Sequence, residues 1–233
     1  MIRVILFVLL AAFMYSCKSD SDYSSSNTEL KDAETNEQDS NANDKSSSNT
    51  INDKDADTIL APATFSNEGF DSALKYELLL ETHICNPNYS DSVTDGSVPC
   101  SAKFFRFFEY NHKRTLNDAF MLQVKAGVNN YQYRRLLIFT RERGKLILVN
   151  GIRGYLVSQI KRPNEIDDLV VGVIDDLGSD TYERYDVLLR YKDGKYQVKE
   201  ALGDLEGPFD SQELKNRATK MIKQRIEEKQ LIF

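Results

Sequence analysis

Tryptophan is absent from the 233 residues, histidine occurs twice and cysteine three times. Each scarcity narrows the chemistry. Without indole rings a common stacking surface for sugars is missing, although twelve tyrosines can take over part of that work. With His83 and His112 as the sole imidazoles, nucleophile-histidine catalysis has few ways to be assembled. The chain also contains no G-x-S-x-G, H-E-x-x-H or G-x-G-x-x-G motif and no glycine-rich phosphate loop. No catalytic constellation emerges, so the expectation is a protein that is not an enzyme and needs no cofactor or metal.

Long hydrophobic runs are lacking too. Residues 4–13 (VILFVLLAAF) form an unbroken apolar stretch behind Met1 and Arg3, well short of the roughly 20 residues that cross a bilayer as a helix. Next comes Met14-Tyr15-Ser16-Cys17, where a small residue stands directly before a cysteine. This arrangement resembles a bacterial lipoprotein signal with its lipobox. The resemblance implies diacylglycerol transfer to the Cys17 thiol, cleavage between Ser16 and Cys17, and acylation of the new amino terminus. Two or three acyl chains, at about 0.8 kcal/mol per buried methylene, anchor far more firmly than one. The alternative is an ordinary signal peptide cut nearby, with Cys17 incidental.

The stretch after Cys17 suits a tether. Residues 18–58 are Ser, Asn, Asp, Glu, Lys and Thr with hardly an apolar side chain, too little to offset the entropy of ordering them. The stretch carries eleven acidic and four basic residues, a charge of −7; with Arg3 at +1 and the whole chain at −6, residues 59–233 sum to zero. The acidity therefore belongs to the tether. A neutral domain lacks the positive excess that displaces counterions from phosphate, so no nucleic-acid partner is expected. As a flexible chain the tether averages roughly 35 Å end to end, and self-repulsion lengthens it. The expected address is the bacterial cell envelope, lipid-anchored at the outer membrane. Asp20 and Asp22 resemble acidic sorting signals for surface display in some Gram-negative bacteria, although the composition of the tether supplies acids in any case.

Residues 59–233 are the size of one domain and show no linker or repeat. Cys85 and Cys100 bracket CNPNYSDSVTDGSVPC, and outside the cytoplasm an even pair in such a loop reads as a disulfide. The rival, a metal site with His83, lacks ligands, His112 being the one other imidazole. The expected fold is α+β: a mostly antiparallel, meandering β-sheet with an N-terminal helix and a C-terminal helix packed on it. The helices fall at residues 68–83, with Asp71 or Ser72 as N-cap, and at 211–229. Between them AKFFRFFEY, AFMLQVKA, RRLLIFTR, KLILVN, YLVSQI, DLVVGVI, YDVLLRY and YQVKEAL read as strands. Asp193-Gly194 suits a type I′ hairpin turn, and Glu142-Arg143-Gly144 marks another hairpin.

Three polar features stand out. Asp167-Asp168 and Asp175-Asp176 bracket one strand, and about 20 Å of strand holds the pairs too far apart for a shared metal or an acid/base couple. The segment loosely resembles strand-turn units of bacterial β-propeller repeats whose Asp side chains hold calcium, but it lacks their glycine and occurs once; Asp167 is expected to close a turn and the other acids to be solvated strand ends. Arg134, Arg135, Arg141, Arg143 and Lys145 cluster on neighbouring strands and read as a solvated sheet face. Gly151-Ile152-Arg153-Gly154 reads as a bulge or exposed tip between two strands.

Together these features suggest a membrane-anchored binding or structural module whose partner is an envelope or extracellular protein or glycan. Two competitors are an inhibitor of a foreign hydrolase, inserting the 85–100 loop into its cleft, and a carboxylate-dependent glycan hydrolase. Oligomeric state is not encoded in any of these features. Closing the Cys85–Cys100 loop is expected to contribute about 3 kcal/mol; urea denaturation of the double Cys→Ser variant is expected to show that loss with a slightly steeper slope, because the unfolded chain is no longer cross-linked.

Overall fold

The computed structural model describes residues 58–61, 64–89, 96–110 and 114–233. Cys17 and the whole expected signal and tether up to residue 57 lie outside them, as does His112. In chain order the elements are β1 (Thr58–Leu60), α1 (Ala73–Glu81), β2 (Phe105–Glu109), β3 (Ala119–Val124), a 3-10 turn (Val128–Asn130), β4 (Arg135–Glu142), β5 (Lys145–Ile160), β6 (Asp168–Gly178), β7 (Thr181–Lys192), β8 (Lys195–Asp204), β9 (Gly207–Pro208) and α2 (Gln212–Glu228). Strands β2 to β9 are hydrogen-bonded in sequence order, every pairing is antiparallel, and β1 adds to β5. The protein is thus mostly antiparallel sheet with two helices, one of them C-terminal. The first described element is a strand, with α1 following it.

Local chemistry explains the joints. Arg143-Gly144, Ser179-Asp180 and Asp193-Gly194 each place two consecutive residues at positive φ, which matches the right-handed twist of the strands they connect. Ser211 caps α2 by accepting the Leu214 amide on its Oγ at 3.2 Å. Ser72 precedes α1 in extended geometry without a side-chain cap, and Asp71 instead pairs with Lys75 at 2.8 Å. The disulfide joins Cys85 and Cys100 as expected, and both cysteines pack against the core beside α1.

All six residues of β3 are buried because the sheet is covered on both faces there. On one side Leu78 and Leu79 of α1 lie against Phe105, Phe107, Leu122 and Phe139. Phe120 stacks between Phe107 and Phe139, with ring centroids 5.1 and 5.2 Å apart. On the other, Met121, Leu136 and Ile138 meet Val171, Val173, Val187 and Leu189, with Ile222 and Ile226 of α2 closing the cluster. Each fully buried Leu, Ile or Phe is worth roughly 1.5–3 kcal/mol. Glu81 ties α1 to β4 through a two-pronged pair with Arg141, both contacts at 2.7 Å, and that guanidinium holds the Glu81 carboxyl below its usual range.

The largest departure from expectation concerns β5. KLILVN and YLVSQI are not two strands separated by a glycine-flanked tip; they are one strand of 16 residues running through Gly151-Ile152-Arg153-Gly154. Its first half pairs with β4, from Lys145 to Arg153, and its second half with β6, from Gly154 to Ile160. The strand therefore changes neighbours at residues 153 and 154, where a local pattern of apolar residues breaks. That break in pattern imitated a loop. Gly154 has φ +147°, and a Cβ there would lie 2.0 Å from the Gly172 carbonyl oxygen, so only glycine fits.

At the handover Gln123 of β3, 4 % exposed, supplies the missing hydrogen bonds. Its Nε2 donates to the carbonyls of Arg135 at 2.8 Å and Gly154 at 3.0 Å, and its Oε1 accepts the Leu156 amide at 3.1 Å. Along the first half of β5, on the edge away from β4, the C-terminal segment takes the open slot: Gly151 and Phe233 exchange both backbone bonds, at 2.7 and 2.9 Å, and the Arg153 amide reaches Leu231 O at 2.9 Å. The Phe233 ring covers Gly151, where a Cβ would meet it at 2.3 Å. Gln123→Leu keeps the volume and strands three backbone groups, so a loss of about 3 kcal/mol is expected in chemical denaturation; Gly154→Ala is expected to be worse than Gly178→Ala, which meets open space.

Candidate functional site

In the acidic segment Asp167 closes the turn before β6, as expected, but Asp168 and Asp175 are not solvated strand ends. Asp167, Asp168 and Asp175 are 1, 4 and 1 % exposed. The reason is that β6 extends to Gly178 and lies between β5 and β7, so Asp175 is an interior residue of a central strand. Burial of an ionised carboxylate requires a partner. Asp168 receives Arg190 through Nη2 at 2.7 Å and Nε at 3.1 Å, with Arg162 Nη1 at 3.4 Å, and this contact raises the Arg190 pKa. Asp175 receives Arg225 Nε of α2 at 2.5 Å and Lys229 Nζ at 3.5 Å. Asp167 accepts the Arg162 amide at 3.2 Å, while its carbonyl accepts the Tyr196 hydroxyl at 2.9 Å. Asp176 accepts the Gly178 amide at 2.8 Å.

Asp168 and Asp175 stand seven residues apart on one extended strand, about 23 Å, and on opposite faces because seven is odd. They form no acid/base couple. Asp175 and Glu183 are direct cross-strand partners on β6 and β7. Arg225 sits beside both and Tyr185 donates to Glu183, so the pair is part of an ion network that pins α2 to the sheet. Among the described residues no group of three or more His, Cys, Asp or Glu is placed to hold a metal ion. No helix among them is long and apolar enough to cross a membrane.

The basic cluster does not make one face. Arg141 is committed to Glu81, the Asn117 carbonyl at 2.9 Å and the Gly144 carbonyl at 2.9 Å. Arg143 is exposed at the hairpin tip. Arg135 and Arg153 are direct cross-strand partners, an unfavourable like-charge pairing, and the Arg135 guanidinium covers the Tyr131 ring. Burial lowers the Arg135 pKa. Arg134 points the other way, into the site with the strongest convergence of polar groups.

There Phe65, Arg134, Tyr155 and Arg184 alternate as ring, guanidinium, ring, guanidinium, with cation-to-centroid distances of 5.4, 5.9 and 5.4 Å. Tyr155 lies over Gly172, whose missing side chain leaves room for the ring; a Cβ would be 3.0 Å from its Cζ. Arg106 covers Phe108 at 5.3 Å and donates to the Thr64 carbonyl. Arg184 is held by Asp186 through contacts of 2.9 and 2.6 Å. These groups line a cavity of about 140 Å³ beside the β5 handover, its floor formed by Gln123 and Leu156. Among the described residues the lining carries three arginines and no carboxylate, with Asp186 holding Arg184 from beside it.

Known protein families, curated proteins and solved structures were compared with the chain, and none matches. The site therefore stands on its own geometry. Among the described residues three larger cavities are less selective in charge, and one of them, of about 350 Å³ beside Phe70 and Cys100, has no charged side chain in its lining. One of about 410 Å³, between β8, α2 and the C-terminal segment, mixes Lys195 and Lys223 with Glu227. Another of about 320 Å³, between α1 and β2, contains Asp71 and Lys75, which pair with each other, and Arg106, which lines both this cavity and the smaller one.

Of the residues singled out in the sequence, the structure joins Cys85 to Cys100 and buries the Asp167–Asp168 and Asp175 positions in structural bonds; Ser16 and Cys17 lie outside the described residues. Arg106, Phe65, Tyr155 and Arg184 went unnoticed because they come from four segments separated by up to 119 positions in the chain. Arg190→Ala leaves Asp168 buried with one longer contact and is expected to cost about 2 kcal/mol, less than a fully buried pair because Arg190 is partly solvated; urea denaturation beside the exposed-site control Arg143→Ala checks it.

Proposed function

We propose that the protein is a lipid-anchored binding module of the bacterial envelope, held through Cys17 and presented on the acidic tether of residues 18–58. The domain of residues 59–233, with α1 and α2 as its two helices, would then stand away from the membrane. The observation that carries the binding half of this reading is the fate of the charges. The buried acids Asp168 and Asp175 are tied to arginines in ion pairs that brace the fold, whereas Arg106, Arg134 and Arg184, the last also paired with Asp186, converge on one cavity whose lining among the described residues contains no acid. Groups arranged in this way hold a ligand; they do not offer the nucleophile, base or paired carboxylates that a hydrolase needs. The anchor half rests on the resemblance of residues 1–17 to a lipobox signal.

Intact mass and protease shaving of native cells carrying wild type and Cys17→Ala test the anchor. Wild type is expected to carry the mass of its acyl chains and the variant none. Loss of the domain on shaving would direct the search to extracellular partners, and protection would direct it to partners inside the envelope. Wild type without lipid would overturn the anchored reading.

A further inference from the structure

Among the described residues five aromatic rings, those of Phe65, Phe108, Tyr110, Tyr131 and Tyr155, each have an arginine of the chain itself over them. The pair formed by Tyr133 and Tyr182 at the tip of the β6–β7 hairpin is different. These rings pack with centroids 5.5 Å apart and planes inclined by 57°, and no described arginine or lysine covers either of them. Carboxylates stand beside them instead. Asp176 is the direct cross-strand partner of Tyr182, so the two side chains leave the sheet on the same face, roughly 5 Å apart at their Cβ atoms. Asp180, two residues before Tyr182, accepts Gln132 Nε2 at 3.3 Å, which ties the hairpin tip to the segment that supplies Tyr133.

The charges of these two acids are not compensated. Asp176 accepts the Gly178 amide and Asp180 the Gln132 amide, both neutral donors, and neither acid takes part in an ion pair among the described residues. Arg184, two residues along β7, is committed to Asp186 at 2.9 and 2.6 Å. Desolvation, and then the charges of Asp176 and Asp180, hold the Tyr133 hydroxyl above its usual range, with no cation offsetting them. Tyr182 is 45 % exposed, so a group from outside can reach its ring.

From this arrangement we propose that the hairpin tip docks an arginine side chain of a partner protein, its guanidinium flat on the Tyr182 ring and its N–H groups donating to Asp176 and Asp180. A guanidinium meets both demands of the site at once, since its plane stacks on an aromatic face and its edge forks to carboxylates. An ammonium supplies the charge without the plane. A neutral sugar stacks on tyrosine but leaves both carboxylate charges uncompensated. The surface shares no residue with the arginine-lined cavity, so it goes beyond the binding-module reading and gives the domain a second face with its own partner chemistry.

NMR titration of the full chain at physiological salt with a capped Gly-Arg-Gly peptide tests this, beside capped Gly-citrulline-Gly, capped Gly-Lys-Gly and methyl glucoside. The arginine peptide is expected to give saturable shifts at Gln132, Tyr133, Asp176, Asp180 and Tyr182. Citrulline keeps the shape without the charge and is expected to bind about tenfold more weakly or less; lysine is expected to bind several-fold more weakly. Tyr182→Leu is expected to weaken the arginine peptide about two- to fivefold and Tyr182→Phe to leave it unchanged. Replacing Asp176 and Asp180 together by Asn is expected to cost about tenfold or more. Asp193→Asn, which removes one charge at another hairpin tip, is expected to change nothing. Thermal melts accompany each variant; if Tyr182→Leu fails to fold, the Asn replacements and the citrulline peptide carry the test. Equal binding of the citrulline peptide, shifts confined to residues 18–58, methyl glucoside binding at the tip in place of arginine, or an equal loss in Asp193→Asn would each overturn the proposal. Lipid attachment is read separately by mass, so a lipidated protein that ignores the arginine peptide loses this surface alone, and an unlipidated one that binds it at Tyr182 loses the anchor alone.

Discussion

The rest of the structure depends on one strand serving two half-sheets. β5 pairs with β4 along its first half and with β6 along its second, and such an exchange leaves backbone amides and carbonyls facing no strand. Buried backbone groups without partners are costly, so the exchange is possible only where something else bonds them. Gln123 does this on one side and residues Leu231 to Phe233 do it on the other. Gly154 and Gly172 allow the two strands to approach there. The bend that results folds one half of the sheet over the other and creates the cluster in which Met121, Leu136 and Ile138 meet Val171, Val187 and α2.

The same bend makes the candidate site. The cavity of about 140 Å³ lies at the handover, where side chains of several segments meet. Tyr155 and Arg134 come from segments that meet at the bend, Arg106 from the outer strand β2 and Arg184 from β7. Cation–ring stacking at 5.4, 5.9 and 5.4 Å holds these long side chains against one another. Acids buried in β6 are neutralised by Arg190 and Arg225, and of the arginines at the handover Arg184 is paired with Asp186.

Much of the local structure was legible in the sequence. Strand periodicity located the sheet, Asp193-Gly194 identified its hairpin, Ser211 marked the start of α2, and the loop chemistry around Cys85 and Cys100 indicated their disulfide. These features arise from neighbours in the chain, where torsional preference and side-chain alternation act directly. The continuity of β5 was hidden because two glycines and an exposed arginine interrupt its alternation, and their reason lies in β6 and the C-terminal segment. The burial of Asp168 and Asp175 was hidden for a related reason: an acid at the end of an apolar run looks solvated until an arginine from another element is known to face it.

By itself, then, the sequence determined the type of most elements, the antiparallel meander, the disulfide, the neutral charge of residues 59–233 and the acidic segment before them, since all of these follow from composition and short-range spacing. Only the tertiary structure decided which arginines are braces and which line a cavity. That distinction turns on contacts between residues up to 119 positions apart, such as Phe65 and Arg184 around one cleft, and on the direction in which a side chain leaves a bent strand. Such contacts form because burying the two halves of the sheet against each other outweighs the entropy of bringing distant segments together, a sum over the whole core that no local stretch of sequence contains.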